Sequence, residues 1–283
     1  EIEALLDQIE VAVGWFPRDL LRGATALRWF QQWSAGADWL LEHPEVTEQD
    51  FTLTSTSGIH AIQISEHIFA MLLAFARRLP EALQAQRRGE WEHIPGETLF
   101  ELDGKTMLLV GVGAIGERTA RVAHGLGMRV WGVRRDPSQS VPHVERMEPS
   151  AELDALLPEV DVVVMTVPLT EETRHMIGEA QLRRMRPTSH LVNIGRGGTV
   201  DDDALRRALE EGWIAGAGLD VFEEEPLPED SPLWGLPNLI ITAHYSGATP
   251  HYHDRATAVF LDNLRRYIAG EPLEKVVDKS AGY

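Results

Sequence analysis

Along this chain the apolar positions follow two rhythms, and the switches between them outline a repeating strand–helix plan. Candidate strands at 107–110, 129–133, 162–167, 189–193, 216–219 and 239–242 alternate with helical runs at 115–126, 151–156, 171–185 and 202–211. Strands apolar on both faces, separated by helices, form a parallel sheet covered on both sides. Val162-Val163-Val164-Met165 has no polar position, as suits a central strand. Upstream, 10–13, 27–31 and 51–55 read as the strands of a smaller α/β set, with a short helix at 17–22. A loop of small residues, Ser34-Ala35-Gly36-Ala37-Asp38, follows the second of these strands.

Between the two sets the pattern predicts a helix over 61–79. Ile62, Ile64, Ile68, Phe69, Met71, Leu72, Leu73 and Phe75 leave it almost no polar face. A helix apolar nearly all round must be covered on all sides, which points to packing between domains or between the subunits of a homodimer. Residues 80–104, with Trp91 and Pro95, read as a polar connecting arm. A last helix over 251–269 carries Ala256, Val259, Phe260, Leu264 and Ile268 on one side and is expected to return the chain to the first set. The expected division is a discontinuous smaller domain, 1–74 with 252–283, and a larger domain, 75–251. The chain starts at Glu1, and an opening strand and helix are expected to be missing ahead of it.

Length and charge narrow the picture. At 283 residues the chain suits two domains, and 43% apolar residues suffice for a core in each. A net charge of -18 argues against nucleic acid and anionic membranes, which both select basic surfaces. No apolar run is long enough to span a bilayer and no signal peptide appears. With no cysteine, disulfides, thiolate metal sites and thiol nucleophiles drop out, which fits a cytoplasmic protein.

The chemistry concentrates where strands end. Gly111-Val112-Gly113-Ala114-Ile115-Gly116 stands directly after a buried strand and directly before a helix. In that context Gly111 permits a tight turn, Gly113 lets backbone approach a pyrophosphate, and Gly116 lets helix and strand pack closely. The N–H groups of the helix start then face the phosphates, so this is a dinucleotide site. Arg196 lies between glycines in Asn193-Ile194-Gly195-Arg196-Gly197-Gly198, where its fork can meet a carboxylate. Asp201, Asp202 and Asp203 read as capping of the next helix. Glu223-Glu224-Glu225-Pro226 follows the strand at 216–219, with two of the glutamates expected to be simply solvated, and His244 ends the strand at 239–242. Arginine, glutamate and histidine on three successive strand-end loops are a rare coincidence. His251 and His253, two residues apart near a helix start, do not share a face, and no metal site is expected.

These motifs resemble those of the D-isomer-specific 2-hydroxyacid dehydrogenases over essentially the whole length. The resemblance rests on Ser34 to Asp38, Gly111 to Gly116, Pro168-Leu169-Thr170 with Thr173-Arg174, Asn193 to Gly197, Asp220 to Pro226, and His244. It implies a Rossmann-type doubly wound sheet plus a smaller, discontinuous flavodoxin-like substrate domain. It also implies that Arg196 binds the substrate carboxylate and carbonyl, that His244 is the acid/base, and that Glu225 pairs with it. By the same resemblance Ala35 and Gly36 would hold the substrate carboxylate. Gly111, Gly113, Ala114, Ile115, Gly116, Val167, Pro168, Thr173, Ile194, Gly195, Arg196 and His244 would line the cofactor, with Asp220 facing its carboxamide. The chemistry agrees: hydride arriving at a keto carbon leaves an alkoxide that needs a proton, and a carboxylate beside imidazole favours the protonated ring. Tyr245 departs from the family, which commonly has a small aliphatic residue after the histidine; it either shapes the pocket or packs against the helix at 61–79.

The reaction this implies is reduction of a small 2-oxo acid, of the glyoxylate or hydroxypyruvate type, to the D-2-hydroxy acid. A D-3-phosphoglycerate dehydrogenase, or a nucleotide-sensing interaction protein like the C-terminal-binding corepressors, stands as the alternative. NADP(H) is expected over NAD(H). The family's ribose-binding aspartate falls eighteen residues past Gly116, which here is Arg134, and Arg135 follows. Asp136-Pro137 reads as a turn that has already left the strand.

Overall fold

A computed structural model describes residues 2–282. The chain divides into two units, one drawn from Glu1–His60 and Ala248–Tyr283, the other from Ala61–Gly247. In the first unit β1 (Val11–Gly14), β2 (Trp29–Gln32) and β3 (Thr52–Thr54) form a parallel sheet in that order. Leu21, Phe30, Leu40, Val46 and Leu53 make its core, largely from short helical turns laid against the sheet. Trp29 faces the C-terminal helix (Tyr252–Ala269), stacking on Phe260 and Tyr267 at 5.5 and 5.4 Å. That contact explains why the last helix belongs with the first strands.

The second unit opens with α1 (Ala61–Ala76) and α2 (Leu79–Arg88). Its sheet is built from β4 (Thr106–Val110), β5 (Arg129–Val133), β6 (Arg146–Glu148), β7 (Val162–Met165), β8 (His190–Asn193), β9 (Gly216–Leu219) and β10 (Leu239–Ile241). All pairings are parallel, in the order β10-β9-β8-β7-β4-β5-β6. The helices between strands are α3 (Ala114–Gly125), α4 (Leu153–Leu156), α5 (Glu179–Leu182) and α6 (Asp202–Glu210). Because successive strand residues face opposite ways, the apolar runs feed two cores. Leu108, Val110, Val163, Met165 and Leu191 meet Ala204, Leu205 and Ala208 of α6 on one face. Met107, Leu109, Val162, Val164 and Val192 meet Ile68 and Leu72 of α1 and Ala120 and Ala123 of α3 on the other. Strand order reverses on the two sides of β4, and ligands of such sheets bind at that switch point, beyond the strand C-termini.

Several boundaries differ from the sequence reading. The expected domain limit at 74 would cut α1, but all of α1 goes with the second unit because it packs on α3, β8 and β9. Its burial is also incomplete: Ile62 and Leu73 are exposed, along an edge shared with Glu66 and Ala70. The polar arm hides α2, whose Pro80 in the first turn is tolerated there. The expected helix over 171–185 shrinks to α5, because 168–178 is a loop held by threonines: Thr173 Oγ1 donates to the Pro168 carbonyl at 2.7 Å and accepts the Thr170 N–H at 2.8 Å. Among the described residues no helix is long and apolar enough to cross a membrane.

Candidate active site

β4 ends at Val110, and Gly111 turns the chain with a φ of +96°, which an L side chain rarely adopts. A Cβ there would also stand 2.9 Å from Val167 Cγ1. Thr166 locks the turn, its Oγ1 donating to the Gly111 carbonyl at 2.6 Å. At Gly116 a Cβ would lie 2.6 Å from that same carbonyl oxygen, so glycine sets how closely α3 packs on the loop. Gly113 is different. Nothing lies within 4 Å of where its Cβ would be, so it faces open space at the start of α3, alongside Ala114 and Ile115. A helix start leaves its first N–H groups without helical partners. Open space over those groups fits a phosphate-bearing dinucleotide.

At the end of β5, Arg134 is half-buried, its N–H tied to the Glu148 carbonyl at 3.1 Å, and Arg135 is exposed. Asp136 has turned away, Oδ1 accepting the Ser138 N–H at 3.0 Å. Hydrogen bonds from Ser138, with Arg134 nearby, hold its carboxyl below the usual range. Val167, Pro168 and Thr173 lie on the threonine-held loop after β7.

Beyond β8, Asn193 organises the next loop: Oδ1 accepts the Gly195 N–H at 3.1 Å and Nδ2 donates to the Arg196 carbonyl at 3.0 Å. Ile194 is buried, and Arg196 is half-buried with Nη1 donating to the Gly195 carbonyl at 2.8 Å. A Cβ on Gly195 would stand 2.7 Å from the Val167 carbonyl oxygen, and one on Gly197 only 1.8 Å from the Phe222 backbone. The loops after β7, β8 and β9 therefore touch through backbone.

Glu225 and His244 meet directly, Oε2 to Nδ1 at 2.6 Å, while Oε1 accepts the Phe222 N–H at 3.0 Å. His244 holds a φ of +51°, uncommon for a residue with a side chain. Asp220 holds it there. Its carbonyl accepts the His244 N–H at 2.8 Å. Its fully buried carboxylate accepts Thr242 Oγ1–H at 2.6 Å and the N–H groups of Tyr245 and Ser246 at 3.1 and 3.0 Å. The side chain expected to face the carboxamide thus has both oxygens engaged inside the loop that presents His244. Sequence reasoning missed the next member, His67 of α1, 3.0 Å from Thr242 Oγ1; at helical spacing on an apolar helix it gave no signal. Tyr245 is about half exposed and sets its ring edge against His67 at 5.5 Å.

Ala35 and Gly36 lie in the first unit, on the loop after β2. Gln32 Nε2 and Ser34 Oγ both donate to the Gly36 carbonyl, at 2.8 and 3.0 Å, and Thr56 N–H meets the Ser34 carbonyl at 2.9 Å. The loop's carbonyls are thereby drawn inward.

The model of the D-isomer-specific 2-hydroxyacid dehydrogenase NAD-binding domain matches residues 69–246. The chain belongs to that family. A glyoxylate reductase from Korarchaeum cryptofilum is 40% identical over 259 residues, covering 89% of this chain and 76% of its own. A family protein from Aeromonas salmonicida superposes with a TM-score of 0.87 at 36% identity, over 98% of this chain and 88% of that one. A Sinorhizobium meliloti NADPH-dependent glyoxylate/hydroxypyruvate reductase, solved with NADP and sulfate, gives 0.86 at 29% identity, over 98% and 87%. Family membership also accounts for the two-unit α/β architecture, including the discontinuous first unit.

Proposed function

We propose that this dehydrogenase reduces a small 2-oxo acid, of the glyoxylate or hydroxypyruvate type, to the D-2-hydroxy acid with NADPH. The observation that carries the reading is the His244–Glu225 pair at 2.6 Å, with Glu225 on the loop after β9 that is in backbone contact with the one bearing Arg196. With Nδ1 turned to the carboxylate, the other ring nitrogen is the one left to hand a proton to the substrate oxygen. Arg196 supplies a fixed positive fork for the substrate carboxylate and for charge developing on the carbonyl. Local cations and N–H groups must do this work, because the chain as a whole repels anions. The names of similar proteins, glyoxylate reductase and NADPH-dependent glyoxylate/hydroxypyruvate reductase, support the substrate class.

The start of α3 with Gly113 would hold the cofactor's phosphates, and Arg134 and Arg135 the 2′-phosphate of NADP. When bound, the nicotinamide supplies the hydride. Asp136 is engaged with Ser138, so the acidic ligand that would favour NAD is drawn away. Removing both arginines should weaken NADPH binding several-fold to hundreds-fold and NADH binding little, since charge-assisted bonds contribute ~1.5–3 kcal/mol each. The active form is a homodimer. Ile62, Leu73, Leu79, Leu83 and Trp91, all large and exposed, lie close together in sequence, and a second copy is their natural cover.

The deciding experiment follows NADPH and NADH absorbance with glyoxylate, hydroxypyruvate and larger 2-oxo acids. NADPH oxidation with the small acids is expected, and a ~10²–10⁴-fold loss in His244→Ala with cofactor binding intact. No oxidation with any 2-oxo acid overturns the reading. A sedimentation experiment giving a stable monomer at micromolar concentration removes the dimer.

A further inference from the structure

Three aspartates open α6, and they have three different surroundings. Asp201 is the cap, its Oδ1 accepting the Ala204 N–H at 2.8 Å. Asp203 is exposed, with Arg206 4.0 Å away. Asp202 instead reaches across to the loop after β9, where Oδ2 accepts the backbone N–H of Glu223 at 3.1 Å.

That loop carries Glu225 two residues further on. Glu225 joins its own loop through the Phe222 N–H and faces His244 through its other oxygen. The span from Phe222 to Glu225 is therefore one closed turn, and whatever fixes its backbone fixes the carboxylate at its end. Gly197 presses on it from one side, with no room for a Cβ against Phe222. The Glu223 carboxylate pairs with His175 Nε2, and the His175 N–H is itself anchored on the Gly198 carbonyl at 2.8 Å.

We propose that Asp202 is a positioning residue for the proton-donating pair: by gripping the Glu223 N–H it keeps Glu225 against His244. The proposal rests on the reductase reading above. The carboxylate sits where ionisation is unfavourable. Burial pushes Asp202 up to about 6; the Glu223 N–H opposes this, while the charges of Glu223, Asp201 and Asp203 add to it. His175 pairs with Glu223, and Arg206 with Glu210 at 2.5 Å. Asp201 already caps the helix, and a second carboxylate that is desolvated costs free energy unless it is hydrogen-bonded. Its tie to the loop gives it a use.

The test compares Asp202→Ala, Asp202→Asn, Glu225→Gln and the double variant Asp202→Ala/Glu225→Gln in the full chain, with NADPH and glyoxylate from about pH 5 to 9. Asp202→Ala should lower kcat about tenfold, leave the KM for NADPH within about twofold, and move the pH profile toward acid, as Glu225→Gln does. Asp202→Asn keeps an oxygen for the Glu223 N–H and should keep the wild-type profile. The double variant should be no slower than Glu225→Gln, because both changes act through one pair. Additive losses, or an unmoved profile in Asp202→Ala, overturn the proposal. If Asp202→Ala does not fold, Asp202→Ser, which suits a helix start but is too short to reach the loop, takes its place with the same outcomes. ¹H/¹⁵N NMR of the His244 Nδ1 hydrogen bond to Glu225, without substrate, decides the matter even if the chain reduces no 2-oxo acid. That hydrogen-bonded signal should be lost or strongly shifted in the Ala or Ser variant and kept in the Asn variant; an unchanged signal in the former refutes the role of Asp202.

Discussion

His190, at the first position of β8, shows how burial sets a protonation state. Its ring lies between Phe75 and Phe100, 5.0 Å from each, and the residue is 7% exposed. Burial, with Arg78 and Lys105 nearby, pushes it down to about 4. An unfolded histidine titrates near ~6.5, so between pH ~6.5 and ~4 the unfolded chain takes up a proton that the folded one refuses. Stability should therefore fall as pH drops through that window, by up to about 3 kcal/mol from this group. His190→Gln should flatten that part of the melting-temperature profile. An equally steep acid decline in the variant assigns the loss to other groups. At the active site, Arg196→Lys should be nearly as damaging as His244→Ala, because a point charge cannot reproduce a planar fork. A measured kcat/KM within about threefold of wild type would remove the bidentate role.

Among the elements, the central strands were legible because burial on both faces leaves apolar runs, and every candidate strand of the larger unit became one. β6 escaped because it is three half-exposed residues at the sheet edge, with no pattern to see. The glycine loop, Arg196, Glu225 and His244 could be read from residue type and place after a strand. Asp202, Thr242 and His67 could not, since each acts through hydrogen bonds across a long sequence separation. Gly197 shows the same limit: nothing in a glycine-rich loop says which glycine touches a neighbour. Gly197→Ala must displace the Phe222 backbone, and with it Glu225. Turnover should drop ~10²-fold or more, and stability by ~1–3 kcal/mol, as for overpacking. Gly235→Ala, with open space around it, is the control and should be silent in both assays.

Taken as a whole, the molecule is one α/β unit interrupted by another. The chain enters the larger unit at Ala61 and leaves it at Gly247, and Gln63 Nε2 donates to the Gly247 carbonyl at 2.9 Å. The larger unit's two ends are thus clasped side by side. A segment whose ends meet needs nothing outside itself to close its chain, which is the geometry of an insertion that can be cut out and joined elsewhere. Residues 61–247, expressed alone, should melt cooperatively and quench tryptophan fluorescence on adding NADPH, without reducing any 2-oxo acid. A fragment that stays unfolded would show that the clasp does not make the unit autonomous. If it folds, this chain is a portable nucleotide module carried in the middle of a substrate domain, and new substrate domains can be grafted around it at that clasp.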